Sequence, residues 1–375
     1  MTERQRALQL LRRIEREGAF ASLLLQNETG FVRTLVLGVL RWRSRLDFAV
    51  DALAKRAIEP EVRDLLRLGA YQLMYMDVAK YAAVGETVAL APHRARGFAN
   101  AILRRIADGK APEPRDLATR TAHPPWLIER WTRMYGEERT ARIAAANQEL
   151  SYPDVIIDGE LPPDAEPSRL VDGIAKLKGS SAGFYGIDEG SAVIAAIAAA
   201  TADEVLDLAA APGGKTRVMR KRGARVVSND VSIARLRPLI GASNRIVVSD
   251  GRKPPFRRQF RTVLLDAPCS ATGTIRKSPE LKWRLQEQDV ASFATLQREL
   301  LASAMKLASE TVVYSTCSLE PEENDEVVRG YERLDVSAYA PEGVKPWIED
   351  GVLRLTPESG ADGFTAFALR TRMNR

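Results

Sequence analysis

Five short β-branched or leucine-rich runs, Val205 to Leu208, Arg225 to Ser228, Arg245 to Val248, Thr262 to Leu265 and Thr311 to Tyr314, recur through the second half of the chain with helical segments between them. Such alternation leaves few folds open. Short strands that each return through a helix stack into an open α/β sheet, and ligands of such sheets bind beyond the carboxyl ends of the strands. The first 145 residues read differently: apolar residues recur at helical spacing in Ala7, Leu10, Leu11 and Ile14, in Val32, Leu35, Val36 and Val39, and in Val62, Leu65 and Leu66. Turn signals at Gly18, Asn27 to Gly30, Pro60 and Gly85 separate these segments, so a compact all-α bundle is expected to precede the sheet. Between the two, Ser151 to Pro167 replaces the helical pattern with prolines and acidic residues, and the stretch to Gly190 reads as a mixed connector. The expected division is a helical domain over 1–140, a linker or small mixed subdomain over 141–190, and an α/β domain over 191–375. No internal repeat of fixed period is present.

Charge narrows the partner. Lys and Arg total 55 against 49 Asp and Glu, a net +6, and many of the arginines fall in the first 145 residues, which suits a polyanion such as nucleic acid. Taken singly, Arg12, Arg13, Arg41, Arg43, Arg45, Arg94, Arg96, Arg104 and Arg105 read as solvated helix faces. Met1 to Ile14 is an arginine-rich amphipathic segment without the apolar core of a secretion signal, and Ala192 to Ala200 is too short and alanine-rich to span a bilayer. A cytoplasmic protein without a membrane segment is expected. Only two cysteines occur, Cys269 and Cys317, and only two histidines, His93 and His123, so neither a disulfide scaffold nor a structural zinc site is expected.

Asp207 opens the run D-L-A-A-A-P-G-G-K-T, which follows one expected strand and precedes a helix. Its small residues and paired glycines let a ligand approach the backbone, and the helix start offers free N–H groups. A phosphate-binding loop would need glycine where Ala209 stands, and Pro212 removes a backbone donor where phosphate would want one, although Val263 to Asp266 resembles an ATPase's magnesium-binding strand. A methyl-donor site fits better, because Asp230 closes the second strand and Asp250 follows the third. One such acid can accept both ribose hydroxyl hydrogen bonds and the other would lie near an adenine. A single Asp at a strand end reads as a turn or helix cap; acids in register after successive strands point to one ligand.

The fourth strand runs into D-A-P-C-S-A-T-G-T-I-R, Asp266 to Arg276, and the fifth into Y-S-T-C-S, Tyr314 to Ser318, so both cysteines fall on the ligand edge of the sheet. Inert cysteine is more often buried within an element. Carbon 5 of cytosine is a poor nucleophile until something adds to carbon 6, and a thiolate both adds well and leaves again. Asp266 beside the base can accept hydrogen bonds from the exocyclic amine or the protonated ring nitrogen.

At these residues the chain resembles the Sun/Nop/Nol family of RNA 5-methylcytosine methyltransferases, over nearly its whole length and most closely in the branch that acts on small-subunit ribosomal RNA. The resemblance implies a Rossmann-like domain using S-adenosyl-L-methionine, an N-terminal NusB-like RNA-binding domain, Cys317 of the T-C pair as nucleophile and Cys269 of the P-C pair in product release. It carries cofactor contacts to Ala209, Ala210, Ala211, Pro212, Gly213, Gly214 and Lys215, and to Asp230, Asp250 and Asp266. RNA as partner, no metal and a monomer are implied as well. Further matches are the run continuing to Trp283 with Ala271 where many relatives carry glycine, P-E-E-N at Pro321 to Asn324, D-G-F at Asp362 to Phe364, and G-A-F-A, G-V-L-R-W-R and F-A-N-A-I-L-R-R in the helical half. The chain departs from the family at Ala209, where cysteine is usual, at Ile187, where glutamine is common, and at Lys277, where a planar arginine fork has become a point charge. Two rival readings stand beside this one: a non-catalytic RNA-binding or ribosome-assembly factor, against which the retained cysteines and acids count, and the ATPase already weakened at Ala209. Transfer RNA is the alternative substrate within the family.

Overall fold

The computed structural model describes residues 1–371 apart from Ser180, Ala242 and Asn244, and the chain forms two compact units. One comprises Met1–Glu149 together with Ile275–Arg284; the other comprises Leu150–Thr274 and the residues from Leu285 onward.

The first unit is built on the helices Glu3–Arg16, Gly30–Leu53, Pro60–Tyr75, Lys80–Ala89, Arg96–Ala107 and Pro125–Ala146. Local chemistry sets several of their starts: Thr2 and Gln5 form a capping box on the first, the Thr29 hydroxyl accepts from the Val32 N–H, and Pro60 occupies a first-turn position where no N–H is needed. Leu10, Leu11, Ile14, Leu35, Val39 and Leu65, all from the helical-period stripes, are fully buried in one core. Gly38 lets two helices approach closely, since a Cβ there would stand 1.9 Å from the Tyr71 ring. Gly85 lies inside Lys80–Ala89 rather than at a turn; one glycine costs a helix about 1 kcal/mol, too little to break it when neighbours pack.

Two of the arginines expected on solvated faces are buried. The Arg41 guanidinium donates to the Arg276 carbonyl at 2.9 Å, and Arg45 pairs with Glu113. Arg41 finds its acceptor in the segment Ile275–Arg284, which comes from the second half of the sequence but packs with the helices. There Lys282 donates to the Arg41 carbonyl at 2.9 Å, the Trp283 indole to the Leu40 carbonyl at 2.6 Å, and Arg284 to the carbonyl of Ile14, while the Ala21 N–H donates to Glu280 at 3.1 Å. The helical unit thus differs from the expected 1–140 in two ways: its last helix continues to Ala146, and ten residues from beyond the reacting loop complete its interior.

In the second unit the parallel strands stand in the spatial order Ile246–Val248, Arg225–Asp230, Glu204–Asp207, Phe260–Asp266 and Ala308–Thr316. These match the five runs read from the sequence to within three residues at each end: three are extended, Ile246–Val248 starts one residue later, and Glu204–Asp207 is shifted back by one. Their order reverses between Glu204–Asp207 and Phe260–Asp266, and it is at such switch points that the connections diverge and leave a crevice. Beyond Ala308–Thr316 the sheet turns antiparallel through Phe364–Arg370, Val352–Leu355 and Ile348–Glu349, an edge not read from the sequence. The alanine-rich run belongs to the helix Glu189–Thr201, buried on nearly all sides against the sheet and its neighbour helix. Ahead of it lies a four-stranded antiparallel sheet, in the order Ala165–Pro167, Ile174–Leu177, Asp154–Ile156, Tyr185–Gly186, where the sequence suggested a linker or small mixed subdomain. The Asp154 carbonyl accepts from the Ile187 N–H at 2.9 Å and its carboxylate from the Glu189 N–H at 3.2 Å, which fixes Tyr185 to Asp188 at the mouth of the crevice. No helix among the described residues is long and apolar enough to cross a membrane.

Candidate active site

Asp207 ends the innermost strand, and residues 208–213 lead from it into the helix Gly214–Lys221. The loop is held by its neighbours: Leu208 N–H donates to the Leu264 carbonyl at 2.9 Å, Ala210 N–H to the Asn229 carbonyl at 2.8 Å and Ala211 N–H to Asp230 at 3.0 Å. Gly213 has φ +108°, and a Cβ there would stand 2.2 Å from Leu239, so glycine is required twice over. A cavity of about 190 Å³ opens over this loop, and Ala209, Ala210, Ala211, Pro212, Gly214, Lys215 and Asp266 line it, as do Tyr185, Ile187, Asp188, Ser191 and Asp207, which were not singled out as contacts from sequence. Gly213, Asp230 and Asp250 do not line it. Both Asp230 oxygens are already engaged, by the N–H of Ala211 and that of Ser232 at 2.9 Å. Asp250 is exposed and forked by Arg252 at 2.7 Å, whose hydrogen bonds hold its carboxyl down at about 2.

Two charged groups dominate the cavity. Asp207 is fully buried; one oxygen accepts from the Thr216 hydroxyl at 2.7 Å, the other has no hydrogen-bond partner, and burial pushes its pKa up to about 7. Burial works to lower the pKa of Lys215, but the charge and hydrogen bond of Asp266, 2.7 Å away, outweigh it and keep the ammonium protonated. That ammonium also donates to the Ser191 hydroxyl at 3.0 Å and lies over the Phe364 ring.

Asp266 joins this cavity to the two thiols. Its strand and Ala308–Thr316 run side by side, with Asp266 opposite Ser315, whose hydroxyl donates to the carboxylate at 2.8 Å. Cys269 follows the first of these strands and Cys317 the second, and their sulfurs lie 3.3 Å apart, both free and half-buried. The hydrogen bond between Cys317 and Cys269, burial, and the charges of Cys269 and Asp266 raise the Cys317 pKa well above that of a free thiol, with Lys215 opposing. Neither cysteine lines the cavity itself. Backbone contacts lock the two loops together and tie them to the start of Phe364–Arg370: Gly273 N–H donates to the Cys317 carbonyl at 2.9 Å, and Gly363 N–H to the Gly273 carbonyl at 2.8 Å. Among the described residues no group of His, Cys, Asp and Glu is arranged to hold a metal.

A family model described as 16S rRNA methyltransferase RsmB/F matches residues 194–366, and a NusB family model matches residues 1–108. Across nearly the whole chain the similarity continues: a probable ribosomal RNA small subunit methyltransferase B of Bacillus subtilis is 30% identical over 98% of each chain. The chain belongs to the RsmB/F family of rRNA methyltransferases. A ribosomal RNA small subunit methyltransferase B of Pseudomonas putida is 32% identical over 90% of this chain and 89% of its own. Among solved structures, PH0851 matches with a TM-score of 0.75 at 22% identity, covering 98% of this chain and 99% of its own, and NSun6 from Pyrococcus horikoshii matches with 0.55 at 20%, covering 66% and 98%; both likenesses are of fold.

RsmB/F methyltransferases draw their methyl group from S-adenosyl-L-methionine. The residues around the cavity fit that donor. A loop of alanines and glycines leaves bare backbone, a Cβ on Gly214 would crowd Ile187 at 3.2 Å, and the unpartnered Asp207 oxygen is an acceptor suited to a cationic ligand. Ile187 makes the facing wall apolar.

Proposed function

We propose that this RsmB/F methyltransferase modifies carbon 5 of a cytosine in small-subunit ribosomal RNA through a transient bond between Cys317 and carbon 6. One observation carries the reading: two thiols, the only two in the chain, lie 3.3 Å apart at adjoining strand ends, beside an Asp266–Lys215 pair that lines the donor cavity. Ala209 to Lys215 would hold the donor with their backbone, and Asp230 and Asp250 its ribose and adenine. When bound, S-adenosyl-L-methionine supplies an electrophilic methyl carbon.

The protein's own groups do the rest. Cys317, as thiolate, adds to carbon 6 while the ring nitrogen takes up a proton, and the ring becomes an enamine nucleophilic at carbon 5. Asp266 receives the ring's amine and protonated nitrogen, and the Lys215 ammonium favours the thiolate over the thiol. Once carbon 5 carries the methyl group, loss of its proton to solvent expels Cys317 as the thiolate, the ring nitrogen gives back the proton it took up, and the neutral aromatic ring is restored; Cys269, in contact with the departing sulfur, assists that elimination. The NusB family region, rich in arginine, is proposed to bind the RNA outside the reacting base.

The test is methylation of unmodified small-subunit RNA by purified protein with labelled donor, with transfer RNA offered in parallel. Wild type is expected to label the ribosomal RNA, Cys317→Ala to label nothing, and Cys269→Ala to accumulate a protein–RNA adduct that survives denaturation. Full labelling by Cys317→Ala would end the covalent reading, and preferential labelling of transfer RNA would move the substrate.

A further inference from the structure

Glu323 is fully buried, and its carboxylate collects donors from both thiol-bearing loops. One oxygen accepts from the Ser270 N–H at 2.8 Å and from the Gln297 amide at 3.0 Å; the other accepts from the hydroxyls of Ser270 and Ser318. Ser270 is the residue after Cys269 and Ser318 the residue after Cys317. Gln297 adds a donation to the Pro268 carbonyl at 2.8 Å, so the residues on both sides of Cys269 are tied to this one group. Asn324 completes the attachment on the other loop: its side chain accepts from the Thr316 hydroxyl at 2.7 Å and donates to the carbonyls of Ser318 and Glu320, each at 2.9 Å. A carboxylate has about four lone-pair sites, and here each is filled by a donor, three of them from the two serines that immediately follow the cysteines.

We infer that Glu323 is a positioning residue that holds the sulfurs of Cys269 and Cys317 at one distance, so that the thiol forming the base adduct and the thiol assisting its release act on the same ring. The inference rests on the covalent reading above for its catalytic meaning, and on geometry alone for the clamp. No neutral side chain can replace the carboxylate. Glutamine at this position would turn one acceptor into an N–H₂ group facing donors, leaving a buried donor unmatched and one loop released.

The test uses the full chain and phenylarsine oxide, which bridges two thiols by taking a proton from each and losing its oxygen as water. With only two cysteines present, binding reports their separation without ambiguity. Wild type is expected to bind one arsenical, and Cys269→Ala or Cys317→Ala to lose that tight site. Glu323→Gln is expected to weaken arsenical binding at least about tenfold, the effect of losing one charge-assisted hydrogen bond. It should also lower kcat with KM for RNA and affinity for the methyl donor unchanged, while Glu323→Asp, which keeps the charge, restores part of both. Ser270→Ala removes one arm without burying an unmatched donor and should loosen the site by a smaller factor, which keeps the test valid if Glu323→Gln does not fold. Arsenical affinity unchanged in a folded Glu323→Gln or Ser270→Ala protein overturns the clamp. Weakened affinity with undiminished kcat leaves the clamp standing and overturns the two-thiol chemistry instead.

Discussion

At Asp230 and Asp250 two acids with the same sequence signature meet different surroundings. Asp230 is buried and fixed by two N–H groups, so each oxygen keeps lone pairs aimed in a set direction; Asp250 is exposed and must release Arg252 before it can accept anything else. Asp230→Ala is therefore expected to weaken donor binding by about tenfold or more, and Asp250→Ala by less, when both are measured by calorimetry. Equal losses would mean that the Arg252 pair opens freely. Cys317 leads to a second prediction. Its pKa is raised, chiefly by its hydrogen bond to Cys269 and by burial, so at neutral pH it rests as the thiol and the reactive thiolate is scarce. Single-turnover methylation should climb with pH through the alkaline range, and alkylation of Cys317 by iodoacetamide should climb with it; a flat profile from pH 7 to 9 would show that RNA binding, not ionisation, sets the rate.

Elements acquire function here through the loops at their ends. Adjacent parallel strands carry Cys269 and Cys317, and the loops beyond them touch at a point where only glycine fits: a Cβ on Gly273 would stand 2.4 Å from the Gly363 carbonyl oxygen and 2.9 Å from that of Cys317. Both obstacles are backbone, so neither can rotate away. Gly273→Ala is expected to destabilise the second unit by about 1–3 kcal/mol in urea unfolding and to reduce methylation far more than donor binding, because the displaced groups adjoin the thiols and not the donor loop. The small antiparallel sheet acts in a comparable way on the other side of the cavity. Its Asp154 holds the start of the helix Glu189–Thr201 and with it Asp188 and Ser191, so a segment that looks like a linker sets one wall of the pocket.

At the scale of the whole chain, proton binding differs between the two units. In the helical unit His123 and Lys282 are both fully buried and both have pKa values well below normal, from burial first and then from the neighbouring charge, Lys282 for His123 and Arg41 for Lys282. A lowered pKa on a base means that the unfolded chain binds the proton and the folded chain does not, so stability rises with pH up to the unfolded pKa of each group. In the second unit Asp207 has the opposite sign: raised to about 7, it binds a proton in the folded state that the unfolded state has released, and stability falls as pH rises toward 7. Above pH 7 the Lys282 effect stands without that opposition. Tryptophan fluorescence can follow it, because Trp42, Trp126, Trp131 and Trp283 lie in the helical unit and only Trp347 lies in the other. Urea unfolding so monitored should show stability rising from pH 7 to 9 by up to about 1.4 kcal/mol per pH unit, and Lys282→Met should remove the rise. An unchanged slope in that variant would show that Lys282 is protonated in the folded protein.

What the sequence determined by itself was whatever repeats or is spelled out locally. The helical stripes of the first unit, the five parallel strands, the glycine loop and the placement of both cysteines at strand ends all follow from periodicity and turn chemistry, which act over a few residues. Tertiary structure decided the rest, because it depends on which distant groups share a buried space. Gly85 sits within a helix since packing outweighs propensity; Arg41 is buried since residue 276 brings it a carbonyl; and Ile187 and Asp207 line the pocket since a separate sheet and a reversed strand order place them there. The segment P-E-E-N was legible only as a match, and its chemistry emerged when Glu323 was found between two serines 53 and 5 residues away. Burial removes the water that would otherwise satisfy such a carboxylate, so its partners must come from the fold, and no local pattern names them.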